Sequence, residues 1–397
     1  MHRLAPELGP APVYPVSRRH LEALTGELGI FQHAIGSTPD SAHGHCVDDV
    51  ARGLQVDLLH ASELGWEAVA DNARRGVRFL EDAFDETSGR FRNFRSIDGT
   101  WIGGKGSDDC HGRAMLALGE TVAAAGPDPS VVASGVLLFG RALRAAERLT
   151  SPRAQASVVL GCAALSGSRA VTESAVPADV TLGAASTAVM RSLATGLHAR
   201  FIGLARPGWP WPEDTLTYEN AVLPRAMIVA GHRLGADVMQ RIGLQVLDWL
   251  IDVQTAPAGH LSPIGNGWWP HGGTKSQFDQ QPIEATALLL GAASAYRVTG
   301  ASRYRDAMER SYGWFLGSND LGVRIVDPAR GAGADGLTPD GVNANEGAES
   351  TLMWLMAAEH IRSLRAESQA RGHTPSRRPV ARTREAVGAQ PSLAEPR

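Results

Sequence analysis

The sequence predicts an all-α fold: an (α/α)6 toroid, in which six helical hairpins close into an inner and an outer ring. Three observations predict it. Apolar residues recur at i, i+3, i+4 and i+7 through most of the 397 residues. Every second helix opens on a polar, mostly acidic segment. Those openings recur about every 60–65 residues, a period that marks a repeat of one helix pair.

The expected helices cover 17–28, 50–59, 65–84, 112–125, 131–149, 155–164, 184–204, 221–234, 237–253, 283–299, 302–316 and 347–365. Strand-like alternation is confined to short loop stretches such as 323–326. The polar openings are HCVDDVARGL at 45, SDDCHGRAML at 107, LTYENAVLPRA at 216, DQQPIEATALLL at 279 and NEGAESTLMWL at 345. One position in this series is skipped. It falls near 156, in SPRAQASVVLGCAAL, which has no acidic residue and reads as structural filler. An open solenoid would not put long Gly-, Pro- and Trp-rich loops before the same alternate helices. A closed ring gathers those loops around one funnel. The ring is expected to be a single domain over 1–365. Residues 366–397 are rich in Arg, Pro and Ser without apolar periodicity, and are expected to form a disordered tail.

Composition excludes several classes. Net charge is −4, and the segment from Arg371 carries six Arg against two Glu, so the body is more acidic than the whole. An acidic body argues against nucleic acid as a partner. No run of eighteen apolar residues exists, so no membrane span is expected. The N-terminal segment has no apolar core of a signal peptide. Three cysteines (Cys46, Cys110, Cys162) do not make a disulfide framework, and a reducing cytoplasm fits them. The His45-Cys46 and Cys110-His111 pairs invite a zinc reading, but no third ligand pattern accompanies them, so they read as small buried thiols. No phosphate loop, HExxH, GxSxG or dinucleotide fingerprint occurs. No metal and no cofactor is expected.

Five constellations carry chemistry. In the first, Asp48 and Asp49 open a helix with Arg52 one turn on; carboxylates suit a helix start, and Asp49 is the catalytic candidate. The second holds Asp108, Asp109, His111 and Arg113. The third, PGWPWPEDTLTYENAVLPRA, alternates Trp209 and Trp211 with prolines before Glu213, Asp214, Tyr218, Glu219 and Asn220. Aromatic faces stack on sugar rings while carboxylates and amides take hydroxyls. The fourth repeats that recipe with Trp268, Trp269, His271, Lys275, Asp279, Gln280, Gln281 and Glu284. The fifth supplies Asn343, Asn345, Glu346, Glu349 and Ser350. The only two lysines, Lys105 and Lys275, both lie in Gly-rich loops.

The ordered blocks HCVDDVARGL, DDCHGRAMLALGE, WPWPEDTLTYENAVLP, SPIGNGWWPHGGTKSQFDQQPIEA and PDGVNANEGAEST resemble those of the six-hairpin glycosidase-like superfamily. More narrowly, the chain is similar to a bacterial family associated with glycosyltransferases. The resemblance spans about residues 30–360. It implies the toroid and a carbohydrate site, on a fold that hosts many chemistries. Val50 stands where relatives carry Asn, Pro212 replaces an aromatic, Glu219 replaces Asp and Glu346 replaces Gln. The last departure leaves Glu349 as the better catalytic candidate.

The leading expectation is an inverting glycoside hydrolase or phosphorylase on a short oligosaccharide. Its acid and base are Glu349 and Asp49, or either with Asp214. Trp211, Trp268 and Trp269 are the expected platforms. His111, Arg113, Gln280, Gln281 and Asn345 are expected to bind hydroxyls, and Lys105, Lys275 and Arg52 to hold phosphate if phosphate attacks. Asp109, Glu213, Tyr218, Glu219, Asn220, Asp279, Glu284 and Glu346 complete the expected substrate surface. A second reading is a sugar epimerase or isomerase using two of His33, His43, His45, His111 and His271. A third is a non-catalytic sugar-binding partner of a glycosyltransferase.

Overall fold

The inner positions of the ring demand helices that are apolar on every side, and the sequence supplies them. The computed structural model of the chain describes residues 11–124, 128–166 and 177–372. Their α-helices are α1 Arg19–Leu24, α2 Val47–Leu64, α3 Ala70–Ala83, α4 Asp108–Ala123, α5 Pro129–Ala146, α6 Pro152–Ser166, α7 Pro177–Leu204, α8 Val222–Leu234, α9 Asp237–Val253, α10 Pro282–Thr299, α11 Ser302–Phe315 and α12 Ala348–Gly372. The even-numbered helices form the inner ring. In α10 the side chains from Ile283 to Leu289 are buried without a polar face, as a helix enclosed by protein requires. The outer α3 instead buries Ala70, Ala73, Val77 and Leu80 and turns Asp71, Arg74, Arg78 and Glu81 outward.

Glycine sets the closest crossing of the inner ring. A Cβ on Gly119 of α4 would sit 2.3 Å from the Gly161 carbonyl oxygen of α6, and one on Gly161 would sit 2.5 Å from that of Met115. Only glycine at both positions lets the two backbones meet. The ring closes where Thr286 Oγ1 of α10 donates to the Met353 carbonyl of α12 (2.9 Å) and where Arg52 of α2 meets Glu349 of α12 (3.0 Å).

The expected helices form with small changes at their ends. The span 65–84 splits into a 3-10 turn, Trp66–Ala68, and α3. The opening helix is shorter than expected, because Thr25 turns extended and its hydroxyl caps the Leu21 carbonyl. The loops hold more strand than the sequence suggests. Phe31–Ile35 and Thr38–Cys46 form an antiparallel hairpin, extended by Phe94–Arg95 and Trp101–Ile102 into a four-stranded sheet. Its turn places Gly36 at φ +58°, which suits a two-residue hairpin. The strand TPDSAHGHC was invisible to apolar alternation because few of its residues are apolar. The expected strand at 323–326 appears at Val326–Asp327, paired with Ala332–Gly333.

The described residues up to Arg362 form one compact unit, and those from Ser363 belong to a second. Within the second, helical residues continue to Gly372, where the sequence predicted a tail from 366. The remainder of that expected tail, 373–397, lies outside the described residues. Among the described residues no helix is long and apolar enough to cross a membrane.

Candidate functional site

The inner helices start on one face of the ring, and a cavity of about 710 Å³ opens there. Its walls come from separate inner-helix starts: Asp109 and Arg113 of α4, Ser151 before α6, Tyr218 before α8, Gln281 before α10 and Glu349 of α12. Asn266 and Trp268 reach it from the loop between α9 and α10. Trp268 keeps 44% of its surface exposed, and its backbone is held at φ +61°. Glu219 (φ +48°) and Asp279 (φ +58°) are also left-handed. Among the described residues these are the non-glycine positions with positive φ, and all three lie in the loops before α8 and α10. Such strain persists where surrounding structure imposes it, and it clusters at functional sites.

Two charge networks shape the cavity. In the first, one guanidinium nitrogen of Arg52 lies 3.2 Å from Asp49 and 3.0 Å from Glu349. Cys46 caps α2: its Sγ accepts the Asp49 N–H (3.4 Å) and donates back to Asp49 Oδ2 (3.1 Å). Burial pushes the Asp49 carboxyl up to about 6, with Arg52 opposing and Glu349 adding to the rise. Glu349 keeps 39% of its side chain exposed and faces the cavity. Beside it, Asp335 accepts the Gly347 N–H (3.0 Å), and burial followed by the Glu349 charge raises its carboxyl above the usual range, against bonds from Ser350 and Gly347.

In the second network Arg113 pairs with Asp48 (2.8 Å) and Glu219 (2.7 Å) and lies 3.9 Å from Asp109. Burial opposes ionisation of Asp48, but Arg113 and Arg52 outweigh it and hold the group below the usual carboxylate range. Asp109 accepts the Tyr218 hydroxyl (2.5 Å) and the Ser151 hydroxyl (2.7 Å). Burial and the Asp109 bond push the Tyr218 phenol up. Arg153 lies over the Tyr218 ring at 4.8 Å and donates to the Tyr218 carbonyl (2.6 Å), Glu213 (2.9 Å) and Asn220 (3.0 Å).

The cavity therefore brings together Asp109, Arg113, Tyr218, Trp268, Gln281 and Glu349 from the predicted set. Arg52 and Glu219 support them from the side. Asp49 is a correction in role: it is only 5% exposed and does not line the cavity, because it is committed to Arg52 and Cys46. Asp214 is a correction in place. Its side chain is 81% exposed, paired with Arg206 (2.6 Å), and away from the cavity.

Other predicted residues hold the scaffold. His111 is buried against Phe91 behind α4 and is lowered to about 4 by burial and then by Arg90. Trp211 is fully buried and donates to the Thr215 carbonyl. Trp269 stacks on Trp249 and meets Trp209 edge-on, so its face is already covered. Lys275 donates to the carbonyls of Ser262 (2.8 Å) and Val253 (3.3 Å), the latter the last residue of α9. Gln280 bridges Trp314 and Asp320. Glu284 is buried beneath Asn220 and accepts from its backbone N–H, its amide and Gln254. Glu213 and Asn220 are engaged by Arg153. Asn345 accepts the Gly36 N–H, Glu346 is clasped by Arg330, and Asp279 is an exposed turn residue. Apart from Asp279, each of these side chains spends its polar atoms, or its apolar face, on neighbours.

The opening near 156 is also corrected. Far from filler, it supplies Thr150, Ser151 and Arg153. The signal available was Ser-Pro-Arg: Ser151 before Pro152 at the first helical turn marks a helix start, and Arg153 is the one charge in an otherwise apolar helix. Asn266 and Asp335 were missed too, since neither stands in a charged run.

No family model matches the chain, and no curated protein matches it by sequence. Solved structures do match. A cellobiose 2-epimerase from Bacillus thermoamylovorans superposes with TM-score 0.63 at 12% identity, over 87% of this chain and 98% of that one. A D-mannose isomerase gives 0.62 at 10% identity, over 87% and 96%. A GH76 α-mannanase from Bacteroides thetaiotaomicron gives 0.60 at 8% identity, over 89% and 96%. At such identities the likeness is one of fold. These neighbours are (α/α)6 toroids of the glycosidase-like superfamily, and the chain folds as the same all-α ring of six helical hairpins.

Proposed function

We propose that this ring is a carbohydrate-active enzyme that hydrolyses a glycosidic bond in a short oligosaccharide, with Glu349 and Asp109 as its acid–base pair. One observation carries the reading: both carboxyls enter the same cavity, beside the half-exposed indole of Trp268. The indole is suited to stacking on a sugar ring, while Arg113, Asn266 and Gln281 are placed to take hydroxyls. Asp109 accepts two hydroxyl hydrogen bonds and Glu349 meets the Arg52 guanidinium, so each carboxyl is fixed in orientation at the cavity wall. Their helices, α4 and α12, flank α2 rather than pack on each other, which suits the wider carboxyl separation of inversion, with room for a water, over the close pair of retention.

The Asp49–Glu349 pair is less suited, because Arg52 fills the space between them. Phosphorolysis is disfavoured as well: Lys275 is spent on two carbonyls and Arg52 on two carboxyls. The epimerase reading draws support from the neighbours that are epimerases. Against it, no histidine lines the cavity among the described residues. The resemblance to a glycosyltransferase-associated family supports a substrate made by a sugar-transferring partner.

The test is incubation of the full chain with mannose- and glucose-based oligosaccharides in deuterated buffer, with and without phosphate. Release of free sugar without phosphate supports hydrolysis. Deuterium entering an uncleaved sugar replaces this reading with epimerisation, and tight binding without turnover replaces it with a binding module.

A further inference from the structure

The interior of the ring has a second recess, toward the ends of the inner helices away from the polar loops. Two neighbouring cavities of about 400 and 340 Å³ lie there and share Glu120, Arg225 and Arg297 as walls. All six inner helices reach them, through Gln55, Glu120, Leu160, Arg225, Arg297 and His360. Arg233 adds a third guanidinium at the rim.

The charge here is unbalanced. Three guanidiniums face one carboxylate, and that carboxylate is already engaged. Glu120 Oε2 accepts from Gln55 Nε2 at 2.7 Å, while its other oxygen stands 3.9 Å from Arg225, beyond hydrogen-bond reach. The Arg225 side chain donates no hydrogen bond among the described residues, and its Nε is shut away from solvent without a partner. Burial pulls Arg225 below the ordinary arginine value, Glu120 opposes, and Arg297 adds to the fall. The same positive potential reaches His360, which burial and then Arg225 and Arg297 lower to about 3. A buried donor without an acceptor is costly, and positive charge focused in a recess attracts an anion.

We propose that this recess is a binding site for a small organic phosphate, separate from the polar-loop cavity. Its phosphoryl oxygens meet Arg225 and Arg297, and its organic part lies against Leu160, Val229 and Leu290. Planar guanidiniums match phosphate oxygens in pairs. Three positive charges against one negative suit a dianion better than a monocarboxylate.

Titration calorimetry on the full chain tests this with phenyl phosphate, inorganic phosphate and benzoate. Phenyl phosphate is expected to bind most tightly, inorganic phosphate more weakly and benzoate not at all. Arg297→Gln, an exposed position, should weaken phenyl phosphate by roughly tenfold or more, the loss of one charged hydrogen-bond donor, with an unchanged melting temperature. Glu120→Gln should tighten it. Three results would overturn the proposal: no heat from either phosphate, which leaves the arginines as counter-charges to helix C-termini; affinity indifferent to Arg297→Gln; or benzoate binding as well as phenyl phosphate. Equal affinity for inorganic and phenyl phosphate would overturn its organic part.

Discussion

Arg52 holds Glu349 at 3.0 Å across the closure of the ring, from α2 to α12. The same nitrogen holds Asp49 at 3.2 Å. A partly exposed carboxyl in the cavity is thus fixed by a buried guanidinium, which is itself anchored by a buried acid. Under the proposed function, such an arrangement pre-orients the reacting carboxyl without covering it. It also explains why the acid that was easiest to read in the sequence, Asp49, is a support rather than a wall of the cavity.

Arg153 is expected to be the most sensitive position outside the cavity wall. It is buried and bonds Tyr218, Glu213 and Asn220 at once. Arg153→Met should cost on the order of 3–5 kcal/mol of stability, because Glu213 and Asn220 lose their buried partner. Denaturant unfolding measures this, and a cost below about 1 kcal/mol would mean that the network adds nothing to stability.

Trp268→Ala should leave the fold intact, since the indole is half-exposed. It should raise KM by roughly threefold to tenfold, from an aromatic contact worth about 0.5–1.5 kcal/mol. Turnover at saturation should change less. An unchanged KM would remove Trp268 from the sugar-binding surface.

Asp49 sets a pH dependence of stability. The folded carboxyl keeps its proton up to about 6, whereas an unfolded one loses it near about 3.9. The folded state therefore binds more protons in that window, and stability falls as pH rises through it, by on the order of 2–3 kcal/mol. Asp49→Asn should remove this fall and melt higher than the wild type at pH above about 6. Parallel curves for the two proteins would contradict the burial argument.

His111 has the opposite sign. It stays neutral in the fold down to about 4, while the unfolded chain takes up a proton near about 6.5. Stability is lost as pH drops through that interval. At about pH 5 the loss is roughly 2 kcal/mol, and His111→Phe, which keeps the contact with Phe91, should recover it. Unchanged acid sensitivity in that variant would place the ring in a wetter environment than its burial indicates.

The sequence made the ring legible because its signals are periodic: Asp237–Val253 forms as expected, and so do the polar openings of alternate helices. Glu349 was legible as well, as an acid one position into an inner helix. Burial was not legible. Trp211 and Trp268 look alike in sequence, each in a Trp-Pro or Trp-Trp loop, yet one is sealed in the core and the other faces the cavity. Lys275 looked like a phosphate ligand because it was rare, but it meets the carbonyls of Val253 and Ser262. Arg153 escaped notice because its partners lie about sixty residues away, a separation that no local pattern records.

The most direct test of the central claim compares sugar release by the wild type and Glu349→Gln, with proton NMR of the anomeric signal of the first product. The account expects wild-type release with inversion at the anomeric carbon. It expects Glu349→Gln to lose roughly 100-fold or more of the rate, as removal of an acid–base group does, in a protein that still folds. Undiminished release by Glu349→Gln, or a product formed with retention, would contradict it.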